Sequence, residues 1–204
     1  MPLPEPVAGV LLAGGMARRM GGGDKCLREL AGRPLLEWVA ERAKSQVGAL
    51  VLNANGDPAR FSAFGLPVVS DVIEGYAGPL AGILSAMEWV RTHAPDCRWL
   101  ASFATDAPFF PDDLVSSLLA AVKEDKADMA CARSNGRMHP VFALWPVALA
   151  EDLRHAMVEE EIRKVDVWTG RYRLAVADFP AEPVDPFFNV NRPEDLKAAE
   201  NLIK

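Results

Sequence analysis

A stretch rich in glycine and cationic side chains runs from Leu12 to Lys25. It contains five glycines and the three cations Arg18, Arg19 and Lys25. Glycines let backbone N–H groups approach a ligand closely, and guanidinium and ammonium groups pair with phosphate oxygens. This combination predicts a loop that binds a triphosphate, with a flexible surface loop and solvated arginines as the simpler alternative.

Two common phosphate-binding motifs are excluded at this loop. A Walker A motif needs Gly-Lys followed by Ser or Thr, whereas Lys25 follows Asp24 and precedes Cys26. The Gly-x-Gly-x-x-Gly spacing of dinucleotide-binding folds is also missing. The loop therefore indicates another class of nucleotide-binding protein.

Three polar residues, Asn53, Asp71 and Asp106, follow or close segments that we predict to be strands. Ligands in open α/β sheets bind at the carboxyl ends of the strands, so we expect these side chains at one edge. A carboxylate at Asp106 suits Mg²⁺, which prefers oxygen ligands and is shared with substrate phosphates. A turn or capping role is the alternative for each of the three residues.

Two amides, Asn189 and Asn191, lie two residues apart and face the same side if the chain is extended. They are candidate ligand contacts, and the alternative is that Asn191 caps the helix that follows it. His139 precedes a proline and is either a general base or a structural histidine. No Gly-x-Ser-x-Gly elbow is present, so the sequence does not indicate an acyl-transfer hydrolase.

Apolar segments and helical periodicities alternate along the chain and must position these residues. The predicted strands are 7–12, 49–53, 66–70, 98–105, 128–132, 140–144 and 172–177. The predicted helices are 34–43, 80–93, 111–122, 147–158, 160–167 and 193–203. This order predicts one α/β domain over residues 1–204, with a mostly parallel sheet covered by helices on both faces.

Composition limits the possible partners. The 204 residues carry 22 Lys+Arg and 28 Asp+Glu, for a net charge of −6, which argues against capture of nucleic acid or an anionic membrane. The three cysteines have no metal-ligand spacing, and the N-terminus has no basic segment typical of a signal peptide. No apolar run reaches the roughly 20 residues of a membrane span. We expect a cytoplasmic protein.

The motifs together resemble a known family. The glycine-rich loop is similar to that of nucleotidyltransferases that join an NTP to a phosphorylated acceptor. The full set, in order along nearly the whole chain, resembles the molybdenum cofactor guanylyltransferases: Ala13-Gly14-Gly15 to Lys25, Asn53-Ala54-Asn55, Gly78-Pro79-Leu80-Ala81-Gly82, Thr105-Asp106-Ala107-Pro108, His139-Pro140-Val141 and Asn189-Val190-Asn191 to Leu196.

This resemblance implies a Rossmann-like three-layer sandwich of the nucleotidyltransferase type and a Mg²⁺-dependent reaction. The enzyme would transfer GMP from GTP to the phosphate of molybdenum-loaded molybdopterin and release pyrophosphate. Asp106 would bind the metal, and Arg19, Lys25 and Asp106 would be the catalytic groups. The implied substrate contacts are Leu12, Ala13, Gly14, Gly15, Lys25, Asn53, Asp71, Asp106, Asn189 and Asn191.

Other functions remain open at the level of sequence. A cytidylyltransferase acting on the same cofactor, or a transferase acting on sugar or isoprenoid phosphates, would use a similar loop. A non-catalytic module that binds nucleotide and delivers cofactor belongs to a different class. Molybdoenzymes, their chaperones and other cofactor-biosynthesis proteins are the candidate protein partners.

Overall fold

The computed structural model describes residues 5–14, 23–75 and 78–203, and its central feature is a seven-stranded sheet. The sheet order is β5-β4-β1-β6-β8-β7-β9, and β2 and β3 form a separate antiparallel pair. The strands are β1 (Val7–Leu12), β2 (Glu29–Leu30), β3 (Arg33–Pro34), β4 (Ala49–Asn53), β5 (Val68–Val69), β6 (Trp99–Ala104), β7 (Met129–Ser134), β8 (Arg137–Pro146) and β9 (Leu174–Phe179).

Helices cover both faces of this sheet. They are α1 (Leu35–Lys44), α2 (Pro79–His93), α3 (Leu114–Asp125), α4 (Ala150–Val158), α5 (Val165–Thr169) and α6 (Pro193–Ile203). Side chains of α1 and α3 pack in one apolar core, and side chains of α2, α4 and α5 pack in the other. Helix α6 packs instead against β2 and the start of α1. The predicted three-layer α/β arrangement is confirmed.

Strand β1 holds the centre of the parallel part of the sheet. Its neighbours β4 and β6 both run parallel to it, with Leu12 opposite Asn53 on one side and Ala104 on the other. Its side chains alternate between the two cores, as a strand buried on both faces requires. The three carboxyl ends therefore lie side by side at one edge.

The remaining half of the sheet is less uniform than predicted. Strand β8 runs antiparallel to both β6 and β7, while β9 returns parallel to β7. The reason is local, because Ser134-Asn135-Gly136 makes a tight turn in which Asn135 and Gly136 both have positive φ. Such a turn joins antiparallel neighbours directly.

Three predicted elements match the structure residue for residue: β1, β4 and α6. The strand predicted at 66–70 is shorter and contains only Val68–Val69. The short pair β2–β3 was missed because two-residue strands carry no detectable periodicity. The other strands and α2 agree in position, with ends that differ by a few residues.

The helix predicted at 160–167 is wrong. Helix α4 ends at Val158, Glu161 takes a left-handed conformation with φ of 56°, and the Ile162 N–H donates to the carbonyl of Ala156. This bond closes the turn in which the chain reverses direction after the helix, and the left-handed Glu161 lies within that turn. The helical segment that follows is only Val165–Thr169.

The predicted start of the helix at Pro111 is also wrong, since α3 begins at Leu114. The side chain of Asp113 makes no capping bond to this helix. Gln46 caps it from the end of α1, because its Oε1 accepts the Val115 N–H at 3.0 Å while its Nε2 donates to the Pro111 carbonyl at 2.9 Å. Gln46 is buried, so both ends of its amide are satisfied inside the protein.

In the part of the chain that the structure describes, no helix is both long and apolar enough to cross a membrane.

Replacing Gln46 tests this cap. Gln46→Ala leaves the Val115 N–H without its partner and removes one of the two donors to the Pro111 carbonyl, which still accepts the Leu114 N–H. We therefore expect a loss of about 1–3 kcal/mol in the free energy of unfolding. Urea denaturation measures the change. The control is Ser45→Ala at the neighbouring exposed position, which we expect to shift stability by less than about 0.5 kcal/mol. Equal effects of the two variants would contradict the capping role.

Candidate active site

A cavity of about 840 Å³ opens at the edge where β1, β4 and β6 end. Its lining includes residues from the ends of all three strands, from the start of α2 and from the segment that precedes α6. Gly78 and Pro79 place the N-terminus of the 15-residue helix α2 at the cavity wall, and its N-cap residue, Gly78, has no side chain with which to cap it. Free N–H groups and the helix dipole favour an anion at such a position.

Lys25, Asp106 and Asn191 meet at one point of the site. The Lys25 Nζ lies 2.5 Å from Asp106 Oδ2 and 2.5 Å from Asn191 Oδ1, and the lysine side chain is only 12% exposed. Asp106 is in the turn directly after β6, and Lys25 begins a short 3-10 helix after the glycine-rich loop. The cluster therefore brings together Lys25 from the N-terminal part of the chain, Asp106 from the end of a central strand and Asn191 from the C-terminal part.

Backbone contacts hold the segment of Asn189 and Asn191 against Asp106. The Val190 N–H donates to the Asp106 carbonyl at 2.7 Å. The Val190 side chain is fully buried with Leu30 and Leu35, beneath α6. Because Val190 points inward, its two asparagine neighbours are turned toward the opposite side, where Asn189 lines the cavity.

A second polar cluster surrounds the carboxylate of Asp71. Asn53 Nδ2 donates to Asp71 Oδ1 at 2.9 Å, and Asn55 Nδ2 donates to Asp71 Oδ2 at 2.7 Å. Asn55 Oδ1 accepts the Asp71 N–H at 2.8 Å, so the two residues bind each other twice. The carboxylate is therefore held in one orientation, with lone pairs left for donors of a ligand.

Gly82 makes room for Asn53. A Cβ atom at this position of α2 would lie 2.2 Å from Asn53 Oδ1 and 2.8 Å from a methyl group of Leu12. Real Cβ atoms do not approach neighbours so closely, so any larger residue must displace the asparagine amide. Glycine is thus required here by a close approach, although it weakens the helix intrinsically.

Arg60 links the end of the glycine-rich loop to the turn after β4. Its Nε lies 2.7 Å from Asp24 Oδ2, and its Nη2 donates to the Asn55 carbonyl at 2.5 Å. The guanidinium also lies 4.6 Å from the ring centre of Phe61. Arg60 therefore connects Asp24, the neighbour of Lys25, with Asn55, which belongs to the Asp71 cluster.

The structure brings most of the predicted site residues together. Those that line the cavity are Leu12, Gly14, Lys25, Asn53, Asp71, Asp106 and Asn189. Asn191 reaches the site through Lys25. Ala13 is buried, and its N–H donates to the Asn53 carbonyl at 2.9 Å, so its side chain and N–H both serve the fold. Gly15 and Arg19 lie outside the described residues.

Asn55 and Gly82 belong to the motifs that carry the resemblance, but sequence reasoning assigned neither of them a role in the site, and it did not single out Arg60. Asn55 lies two residues after Asn53, and this spacing was a usable signal, since alternate residues of an extended chain face the same side. Arg60 and Gly82 carried no such signal. Their contacts depend on elements that meet only in the folded protein.

The cysteines are not candidates for nucleophilic catalysis. All three are buried and unpaired. Burial raises the pKa of the Cys26 and Cys131 thiols to about 12, so both are protonated at neutral pH. His139 lies outside the residues that line the cavity and stacks on Phe187 with 4.4 Å between ring centres, which favours its structural interpretation.

The charges of the described lining do not balance a triphosphate. They are one ammonium, Lys25, and three carboxylates, Asp71, Glu74 and Asp106. A bound polyanion therefore needs further positive charge. Among the described residues no group of three or more His, Cys, Asp or Glu side chains could enclose a metal. An ion here would need ligands from substrate or water in addition to Asp106.

Comparison with known proteins finds relatives over nearly the whole chain. Residues 9–172 match the family model described as the MobA-like NTP transferase domain. A molybdenum cofactor guanylyltransferase of Bradyrhizobium sp. (strain ORS 278) is 57% identical over 96% of this chain and 92% of its own length. One from Rhodopseudomonas palustris (strain BisB5) is 52% identical over 99% of this chain and 97% of its own.

Solved structures agree with this relationship. Molybdopterin-guanine dinucleotide biosynthesis protein A from Archaeoglobus fulgidus has a TM-score of 0.73 and 25% identity, covering 96% of this chain and 98% of its own. The CMP:2-keto-3-deoxy-manno-octonic acid synthetase, at 14% identity and a TM-score of 0.74, covers 98% of each chain and shares the fold. The resemblance recognised from the motifs is confirmed. The chain belongs to the molybdenum cofactor guanylyltransferases, a family of MobA-like NTP transferases.

Proposed function

We propose that this nucleotidyltransferase transfers GMP from GTP to the terminal phosphate of molybdenum-loaded molybdopterin and releases pyrophosphate. The observation that carries the proposal is the convergence of Lys25, Asp106 and Asn191 at the cavity, in a chain whose relatives are named for this reaction. The ammonium of Lys25 can bind a phosphate oxygen, and the carboxylate of Asp106 can bind a divalent cation.

The nucleotide binds at the β1–β4–β6 edge in this proposal. The fixed carboxylate of Asp71 accepts the N–H donors of guanine, and the Asn53 amide lies beside it. Leu12 and Gly14 supply backbone atoms at the end of β1, and Lys25 contacts the phosphates. Gly15 and Arg19 of the glycine-rich stretch are the further phosphate contacts expected from the sequence, and Asn189 and Asn191 face the acceptor.

The site fits a divalent cation by the chemistry of its donors. Asp106 offers a carboxylate, which is the hard oxygen ligand that Mg²⁺ prefers alongside phosphates and water. Because carboxylates outnumber cations in the described lining, a divalent cation that binds together with GTP would reduce the electrostatic repulsion between the site and the triphosphate. When bound at Asp106, Mg²⁺ would neutralise charge on the phosphates and the departing pyrophosphate.

The chain's own residues position the reactants. An anionic oxygen of the acceptor phosphate attacks the α-phosphorus of GTP in line, a new P–O bond forms, and the bond to the β-phosphate breaks as pyrophosphate leaves. The Lys25 ammonium stabilises charge that develops on the transferring group. No general base is required, because the attacking phosphate is already ionised.

Two alternatives make different predictions in one assay. A cytidylyltransferase would use CTP, and a binding module would bind GTP without releasing pyrophosphate. The purified chain is incubated with molybdenum-loaded molybdopterin, Mg²⁺ and each of the four NTPs, and pyrophosphate is measured. Of the four NTPs, we expect only GTP to give pyrophosphate release, and we expect a metal chelator to abolish that release. Exclusive use of CTP, or GTP binding without turnover, would overturn the proposal.

Removing the carboxylate of Asp106 tests the metal and phosphate assignment. Asp106→Asn keeps the size of the side chain but removes its charge, so we expect kcat to fall by at least about 100-fold. Pyrophosphate release measures the rate, and circular dichroism checks the fold. Asp125→Ala, at the exposed end of α3, is the control and should retain full activity. A near-normal rate for Asp106→Asn would refute the assignment.

Filling the space at Gly82 tests the role of Asn53. Gly82→Ala should displace the Asn53 amide from Asp71 and raise the KM for GTP about tenfold, which corresponds to 1.4 kcal/mol. The control is Gly48→Ala, where the nearest atom to a new Cβ would be the Val7 carbonyl at 3.8 Å. An unchanged KM for GTP in Gly82→Ala would contradict a role of the Asn53 amide in binding GTP.

A further inference from the structure

Ser134, His139 and Asp185 form a hydrogen-bonded network on the sheet, next to the segment of Asn189 and Asn191. Ser134 Oγ lies 2.7 Å from His139 Nε2 and 2.8 Å from Asp185 Oδ1. Ser134 is 1% exposed and His139 is 7% exposed. Buried polar groups of this kind must satisfy one another.

The direction of each hydrogen bond follows from the chemistry of the groups. An ionised carboxylate only accepts, so the Ser134 hydroxyl donates its proton to Asp185. The hydroxyl oxygen must then accept from His139, which places a proton on the Nε2 atom. Burial lowers the pKa of His139, and the nearby guanidinium of Arg137 acts in the same direction, while Asp185 opposes both. The neutral Nε2–H tautomer satisfies all three groups.

This network is not a hydrolytic triad, although it has the same three residue types. In a triad the histidine lies between the other two groups and the serine faces the substrate. Here the serine lies between the histidine and the aspartate, and none of the three residues is among those that line the cavity. The serine has no access to a substrate, so its role is to connect other residues.

Asp185 also forms hydrogen bonds with the segment that follows it in the chain. Its Oδ1 also accepts the Phe187 N–H at 2.9 Å, and its carbonyl accepts the Phe188 N–H at 3.1 Å. The Phe187 ring stacks on His139. The other two members of the network, Ser134 and His139, belong to strands β7 and β8 of the sheet. The segment is thus anchored to the sheet immediately before Asn189.

We propose that Ser134, His139 and Asp185 are positioning residues for the acceptor side of the site. They fix the start of segment 185–191, and the Val190–Asp106 hydrogen bond fixes its end, so that Asn189 and Asn191 are held in register with Lys25. This inference rests on the proposed function, which makes the two asparagines acceptor contacts. The nucleotide contacts on β1 and β4 belong to the other half of the sheet and do not depend on the network.

The test compares variants of two buried serines. Ser134→Ala removes both bonds of the network, and His139→Phe removes the Nε2–H while keeping an aromatic ring against Phe187. The control is Ser102→Ala on β6, because Ser102 is also 1% exposed and also makes two hydrogen bonds, to the Val141 carbonyl and from the Trp145 indole. Loss of general stability should be similar for both serine variants.

Kinetics separates positioning from stability. We expect the KM for molybdenum-loaded molybdopterin to rise about tenfold in Ser134→Ala and His139→Phe, while the KM for GTP changes by less than about twofold. His139→Gln, whose amide can donate near the Nε2 position, should recover part of the acceptor KM. An acceptor KM that is unchanged, or that rises equally in Ser102→Ala, would overturn the inference.

Hydrogen exchange measured by mass spectrometry tests the anchoring without turnover. Peptides covering residues 185–192 should exchange faster in Ser134→Ala than in the unmodified protein, and Ser102→Ala should leave them unchanged. Unaltered exchange in this segment would overturn the inference. If the unmodified protein transfers no nucleotide to the acceptor, the proposed function fails, and the exchange result still decides whether the network holds the segment. Should Ser134→Ala not fold, His139→Phe and His139→Gln provide the same comparison.

Discussion

The parallel pairing of β1 with β4 and β6 is the constraint on which the site depends. Leu12 lies opposite Asn53 and opposite Ala104, so three strands far apart in sequence end within one register. This alignment places Asn53, at the end of β4, beside Asp106, just after β6, and the pairing of β5 with β4 adds Asp71. A slip of one residue in either pairing would turn alternate side chains to the other face and separate these groups.

The sequence was sufficient to predict the central strands and the placement of most candidate residues at one edge of the sheet. Strands buried on both faces read as short apolar runs, and a polar residue at the end of such a run points to the ligand edge. The ends of the helices in the second half of the chain were harder to predict. The left-handed Glu161 that stops α4 is not a glycine, and the cap of α3 comes from Gln46, which is 69 residues away from Val115. Local patterns contain neither kind of information.

The same limit applies within the site. Lys25 and Asp106 are candidates because of their types and positions in the sequence, whereas Arg60 and Gly82 become candidates only through what the fold places beside them. The glycine illustrates how close packing creates such roles. Because Gly82 has no Cβ atom, the Asn53 amide can lie in the space that this atom would fill. Helix propensity scales describe single residues and do not contain such a contact between two elements.

The meeting of Lys25 and Asn191 also has a consequence for biosynthesis. The two residues are 166 positions apart, and the helix α6 that covers Val190 follows Asn191 directly. During translation the N-terminal loop leaves the ribosome long before its partner has been made. A growing chain therefore cannot assemble this cluster, which forms only on polypeptides whose synthesis has passed α6.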